Sequence, residues 1–433
     1  MPQEIELKLA FPAYARDKVL TYLQTSGGAR LKPTQTLINT YYDTPELALG
    51  NARVALRTRK AGEKWLQTVK CAAASVGGLS SRPEWEQVYT GEFDFSSVAD
   101  APRALLEQHR AAIVPLFSTN FCRDTFLLEP SPGVRIQAMV DLGIVEAAGR
   151  LEDICELELE LETGTAADLW ALSIMLAREL PLLPFDPSKA ARGYRLFRGE
   201  LEKPARAQPS CVDKRQVPRE AFLALANQIL HDWQANTWGV LTQTDPEFVH
   251  QLRIALRRLR SLLQLFASIL PGEFVETWLA ELAGTADATG LSRDLNVIQM
   301  HVLSSLQADY PDQGLQSLQS HCEQAGLAAH QAMRELLWQK RCGEQLLRFA
   351  KALHELPEMP ISLTLVCLAR TCLREQRKQA RKSFEAARQS LLFQDFHRLR
   401  IRIKRLRYGL EFFSPLVAGK KRLKVFFNWC ALP

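Results

Sequence analysis

The chain has 433 residues, 47% of them hydrophobic and 24% charged, with a formal net charge of +6. That length accommodates two or more domains with full cores, and no apolar run approaches the roughly 20 residues of a membrane helix, so no membrane partner is expected. The nine cysteines are dispersed without a CxxC pair or Cys/His cluster, and the acidic start has no apolar leader behind it. Reduced thiols in the cytoplasm are expected, rather than a disulfide framework or a zinc site.

The first two hundred residues read mainly as strands, predicted at 5–11, 37–43, 52–60, 64–71, 82–89, 115–126, 134–145 and 154–162. Helices are predicted at 14–25, 103–110 and 166–179. Hairpin-sized gaps such as Ala61-Gly62-Glu63 point to an antiparallel barrel or closed sheet. Residues 1–200 form the first predicted domain, and the Pro-, Lys- and Arg-rich stretch 201–217 reads as a linker. From 218 to 433 strand signals nearly vanish, and 3.6-residue periods broken at 271–272, 311 and 357–360 predict an all-helical domain. The fold class is therefore α+β with a separate helical bundle.

Side chains alternate faces along a strand. Glu4, Glu6 and Lys8 therefore share one face, opposite Ile5, Leu7 and Leu9. The same spacing joins Arg57 with Arg59, Glu84 with Glu86, and Glu156 with Glu158, Glu160 and Glu162. Four glutamates on one face repel each other unless cations or solvent lie between them. Strands that close with these faces inward would make a water-filled channel with acidic groups beside basic ones. Carboxylates without His or Cys suit hard cations such as Mg²⁺ or Mn²⁺. Arg and Lys suit phosphate oxygens. Together they describe a site for a metal-bound polyphosphate.

The helical half contains an internal repeat: His250-x-x-Arg253-x-x-x-Arg257-Arg258-x-Arg260 matches His397-x-x-Arg400-x-x-x-Lys404-Arg405-x-Arg407. At about 100° per residue His250, Arg253, Arg257 and Arg260 share one stripe, while Leu252, Leu256, Leu259 and Leu263, matched by Leu399, Ile403, Leu406 and Leu410, form the opposite one. A duplicated bundle with a pseudo-twofold axis and paired basic ridges is expected. Arg370, Arg374, Arg377 and Arg381 add a third basic stripe. Among the paired ridge residues Tyr408 is the one aromatic, which favours polyphosphate over nucleic acid as partner. Helix-packing hydrogen bonds compete with phosphate contact as the role of His250 and His397.

The joint order of E-x-E-x-K (4–8), Y-x-D-T (41–44), L-R-x-R (56–59), T-x-K (68–70), R-x-E-W-E (82–86), the late E-x-E strand and S-K-x-x-R (188–192) resembles the CYTH group, the triphosphate tunnel metalloenzymes. The second half is similar to the CHAD domain, a helical module associated with inorganic polyphosphate. The resemblance implies an eight-stranded antiparallel tunnel that holds a triphosphate lengthwise. It implies metal ligation by Glu4, Glu6 and the late-strand pair Glu156/Glu158, with Glu160 in an alternative register and Asp141 as a further ligand. Lys8, Arg57, Arg59, Lys70, Arg123 and Lys189 match phosphate-binding positions. Arg82 either joins them or pairs with Glu84 or Glu86. Tyr41 and Asp43 shape the tunnel mouth. Lys8 either orients the attacking water, beside Glu4 and Glu6 in the catalytic set, or makes a structural salt bridge. On the helical half, the polyphosphate-binding set is His250, Arg253, Arg257, Arg260, Arg374, Arg377, Arg381, His397, Arg400, Lys404 and Arg407. The implied activity is metal-dependent hydrolysis of inorganic triphosphate. Adenylyl cyclase, thiamine or nucleoside triphosphatase, and a non-catalytic polyphosphate-binding protein are the alternatives.

Overall fold

A computed structural model describes residues 3–71, 75–309, 313–339, 341–358 and 363–416. The expected break at 311, half of the one at 357–360, and the chain from 417 lie outside the described residues. The chain forms two compact units, Met1–Lys203 with Lys340–Lys351, and Pro204–Gln339 with Ala352–Pro433.

The first unit is built on eight long strands: β1 (Gln3–Ala10), β3 (Gln35–Asp43), β4 (Val54–Ala61), β5 (Lys64–Cys71), β7 (Leu79–Val88), β8 (Val114–Leu128), β9 (Arg135–Ala147) and β10 (Arg150–Thr163). Two-residue strands β2 (Ala29–Arg30), β6 (Ser75–Val76) and β11 (Leu183–Pro184) attach to them. The long strands pair in the order β1-β10-β9-β8-β3-β4-β5-β7, and β7 returns to β1, so the antiparallel sheet closes on itself as predicted. Closure leaves each strand with one face inside and one outside.

The outward faces are aliphatic. Leu7 and Leu9 of β1 and Leu157 and Leu159 of β10 are fully buried, and helix α4 (Ala166–Glu179) packs on these two strands. Each such leucine contributes about 2 kcal/mol of burial. On the opposite side Leu56 of β4 and Val69 of β5 lie in a cluster with Phe95, Val98 and Leu106, the last from helix α3 (Asp100–His109). Helix α1 (Arg16–Thr25) and the single turn α2 (Ala48–Asn51) complete the flanking helices before α4.

Helix α5 (Lys189–Phe197) was not among the predicted helices. Its Tyr194 and Leu196 pack with Tyr41, Phe117, Phe121, Val145 and Ile154. Gly193 is required there, because a Cβ at this position would come within 2.0 Å of the Phe117 ring. Asp43 fixes the adjoining corner: its carboxylate accepts from the backbone N–H groups of Thr44, Leu49 and Gly50 and from the Tyr194 hydroxyl. Asp43 is thus a buried anchor of the wall.

Within the second unit, α6 (Pro218–Thr242) and α7 (Pro246–Phe266) form a helix hairpin, as do α13 (Leu365–Ser390) and α14 (Phe393–Phe413). The repeated ridges lie on α7 and α14, and these two helices pack together. Leu252, Leu256, Leu259 and Leu263 are fully buried, as the apolar stripe requires. Helices α8 (Gly272–Ala288), α9 (Gly290–Val297), α10 (Ser304–Asp309) and α11 (Gln313–Gln339) complete this unit. Helix α12 (Cys342–His354) lies mostly in the first unit, where Glu344 accepts from Arg178 of α4 at 2.8 Å.

Candidate active site

The inward faces enclose a cavity of about 810 Å³, lined by Glu4, Glu6 and Lys8, by Arg57, Arg59, Lys70 and Arg82, by Glu84 and Glu86, and by Arg123, Glu158, Glu160 and Lys189. Asp141 and Glu156 lie fully buried in the wall behind Lys189. The sequence-predicted residues of the barrel are therefore gathered around one interior. Strand register decides which charges meet: Glu4 faces Arg82, Glu6 faces Glu160, Lys8 faces Glu158, Lys70 faces Glu84, and Asp141 faces both Arg123 and Glu156.

One wall is rich in ion pairs. The Lys189 ammonium donates to Glu156 Oε2 (2.8 Å) and Glu158 Oε1 (2.9 Å) and forms an ion pair with Asp141 Oδ2 at 2.7 Å. Arg123 grips both oxygens of Asp141 at 2.6 Å each and reaches Glu158 Oε2 at 2.6 Å. Arg192 donates to Glu156 Oε1 at 2.5 Å and also to Glu152. Burial alone would push these carboxyls up, but Lys189, Arg123 and Lys8 hold Glu158 well below the ordinary carboxylate range. Burial likewise opposes the Lys189 charge, and Asp141, Glu156 and Glu158 more than offset it, leaving its pKa raised.

A second wall is short of positive charge. Glu4 accepts from Lys70 (3.0 Å) and from Arg82 (3.3 Å), and Glu6 accepts from Arg82 and Ser80. Lys70 is shared with Glu84 at 2.6 Å. Glu160 has no ion pair among the described residues; burial, then the neighbouring Glu4 and Glu6, push its carboxyl up to about 7 despite Lys70. Arg82 thus pairs with Glu4 and Glu6 across the β1–β7 ladder, not with Glu84 or Glu86. Those two project from its own strand, at spacings where side chains run parallel.

A third region is short of negative charge. Arg57 meets Glu84 at 3.8 Å, Arg59 donates to Asn39 Oδ1 at 2.9 Å, and both lie near Arg123 and Tyr41. Burial, then Arg57 and Arg123, pull the Arg59 guanidinium down to about 10. Tyr41 is pulled below its usual value against the cost of burial, by Arg57 first and then Lys189 and Arg59. Lys8 donates to the Pro187 carbonyl rather than forming the salt bridge weighed for it, and burial lowers its pKa although Glu156, Glu6 and Glu158 favour the charge.

Sequence reasoning gave no site role to Arg192 or Glu84, although both stand in the motifs above, and passed over Asn39. The signal for Arg192 was its i+3 position from Lys189, on one helix face. For Asn39 it was the two-residue spacing to Tyr41. Every donor around the acidic groups that could receive a metal is oxygen, so the residues fit a hard divalent cation.

In the second unit, α7 and α14 bring together Arg253, Arg257, Arg400, Lys404 and Arg407. Burial and these four arginines lower the Lys404 ammonium to about 8. His250 lies beside Arg293, Arg257 and Lys404, and burial pulls its pKa down. Arg253 donates to the Ala286 carbonyl and Thr289. Arg260 lies beside Arg405. His397, Arg374, Arg377 and Arg381 are exposed, with His397 against Phe393 and Arg381 bonded to Glu385.

Residues 2–194 match the CYTH domain family and residues 224–429 the CHAD domain family. The chain therefore joins an N-terminal CYTH domain to a C-terminal CHAD domain. A Haemophilus influenzae protein named inorganic triphosphatase is 31% identical over 199 residues, 45% of this chain and 55% of its own length. The chain thus matches about half the length of that curated relative. Among solved structures, the CHAD domain of the plant Ricinus communis is 27% identical (TM-score 0.43; 53% of this chain, 77% of that chain). A Hippeastrum protein described as revealing a dominant triphosphatase activity is 21% identical (TM-score 0.32; 46% of this chain, 97% of that chain).

The Glu160 carboxyl gives a pH test. A carboxyl raised to about 7 in the fold from an ordinary value near 4.5 costs stability once the unfolded chain would ionise it, so the penalty is absent below about pH 4, grows between pH 4.5 and 7 and is constant above. In EDTA, Glu160→Gln should raise the thermal midpoint at pH 8.5 and leave it nearly unchanged at about pH 4. An equal change at both pH values would contradict this reading.

Proposed function

We propose that the first unit hydrolyses inorganic triphosphate to diphosphate and phosphate with the help of a bound divalent cation. The observation that carries this reading is a pair of opposite imbalances inside one cavity: among the described residues Glu160 has no ion pair while Glu4 and Glu6 share Lys70 and Arg82, and Arg59 has no ion pair while Arg57 meets Glu84 at 3.8 Å. A metal-bound polyphosphate satisfies both. The relative named inorganic triphosphatase supports it over the aligned part of the chain.

Glu4, Glu6 and Glu160 are the residues that would hold the ion. A bound Mg²⁺ or Mn²⁺ supplies neutralisation of phosphate oxygens and an acidified water. The guanidinium groups of Arg57, Arg59 and Arg123 would hold phosphate oxygens in place as charge shifts toward the leaving diphosphate. Their burial strengthens each contact, because little water screens it. Net reaction adds one water across the terminal P–O–P bond, so no nucleophilic side chain is required.

Three aromatic residues line the cavity, and all are engaged. Tyr41 stacks on Phe117 at 4.7 Å, Tyr194 meets Phe117 edge-on, and Phe121 lies under Arg123 and Lys189. Each is engaged by protein on at least one side, and no pair of them is arranged to sandwich a nucleobase or thiamine ring, which favours the bare triphosphate. The clustered cations of α7 and α14 suit a linear polyanion, and we assign inorganic polyphosphate to the second unit.

Purified protein should release phosphate from triphosphate with Mg²⁺, lose that activity in EDTA, and lose about a hundredfold in kcat/KM with Arg59→Ala. Undiminished release in EDTA, or cyclisation of ATP in preference to triphosphate hydrolysis, would overturn the assignment. Long-chain polyphosphate should bind more tightly than single-stranded RNA at matched salt and weaken in a Lys404→Ala, Arg257→Ala double variant; tighter RNA binding would refute that partner.

A further inference from the structure

Three carboxylates of this tunnel, Asp141, Glu156 and Glu158, have oxygens within 4.8 Å of one another, the spacing of a metal cage. All six of their oxygens are already engaged. Asp141 gives both to Arg123 and one of them also to Lys189. Glu156 divides its pair between Arg192 and Lys189, and Glu158 between Lys189 and Arg123. Lys189 donates hydrogen bonds to Glu156 and Glu158 and forms an ion pair with Asp141 at 2.7 Å, so one ammonium serves all three carboxylates.

We infer that Lys189 is a tethered counter-ion that closes the Asp141–Glu156–Glu158 cage to divalent cations and leaves Glu4, Glu6 and Glu160 as the wall open to them. Charge supports the assignment: three carboxylates meet Lys189, Arg123 and Arg192, so a divalent ion would add charge to a wall already compensated. Glu160, by contrast, has no ion pair among the described residues. The lysine is also held from behind. It opens α5, which Ser188 caps by accepting from the Ala191 N–H, and the same helix is pinned by Arg192 on Glu156 and Tyr194 on Asp43. Asp141, Glu156 and Lys189 are at least nine-tenths buried, so withdrawing the ammonium would leave unpaired charge in a site with little water.

This rests on the metal-dependent reading only for where the ion goes; the closed cage needs no substrate, so the test uses Mn²⁺ alone on the full chain. Mn²⁺ binding is counted by electron paramagnetic resonance without any phosphate present. In the wild-type background, Asp141→Asn should leave Mn²⁺ affinity within about twofold, while Glu160→Gln weakens it about tenfold. Lys189→Met should bind one further equivalent of Mn²⁺. Its thermal midpoint in EDTA, lowered by roughly 10 °C, should recover when Mn²⁺ is added. If Asp141→Asn weakens Mn²⁺ binding as much as Glu160→Gln does, or a folded Lys189→Met gains no ion, the inference is wrong. Should Lys189→Met not fold, the comparison of Asp141→Asn with Glu160→Gln decides it alone. Absence of triphosphate hydrolysis would leave all of these readings unaffected, so the two proposals fail separately.

Discussion

Closure of an eight-stranded sheet is the constraint on which everything else depends. Once β7 returns to β1, every strand must hide one face in a common interior, whatever that face carries. In most small barrels the hidden face is apolar. Here the helices take the aliphatic residues on the outside, and the inside receives carboxylates and guanidinium groups from all sides. Their mutual pairing makes this tolerable. Burial penalises each charge by several kcal/mol, and only close opposite charges offset it. The interior is therefore organised by charge balance rather than by packing, and its reactive places are where the balance fails.

Those failures are local. The Asp141–Glu156–Glu158 wall is fully matched by Lys189, Arg123 and Arg192, which makes it a structural joint between the sheet and α5. The Glu160 region and the Arg57–Arg59 region are unmatched in opposite senses. A ligand that is itself dipolar in this way, a cation bound to a polyanion, matches both better than either part alone. The second unit differs in kind: its cations gather at a partly exposed helix crossing, with Glu411 paired to Arg407 and Asp287 and Asp294 near Arg253.

Much of this was legible before any coordinates. Period-two charge at Glu4, Glu6 and Lys8, at Arg57 and Arg59, and along 156–162 located the inward faces, because a strand's faces follow from spacing alone. The duplicated ridge was legible from the matched His250 and His397 motifs. Partner choice was not. Which glutamate of the late run meets Lys189 and which meets Glu4 depends on how β10 registers against β1 and β9, a non-local pairing that no local pattern encodes. For the same reason the partners of Arg82, Glu4 and Glu6, were not among those weighed for it. Helix α5 escaped because it is short and carries Gly193, a poor helix former, so it stands on its contacts with Phe117 and Asp43 rather than on propensity.

The most direct test of charge imbalance as the organising feature is calorimetric titration of the full chain with a non-hydrolysable imido analogue of triphosphate, with and without Mg²⁺. Opposite unmatched walls in one cavity predict strong coupling, with each ligand tightening the other at least about tenfold. Equal affinity for the analogue in EDTA and in Mg²⁺ would contradict it.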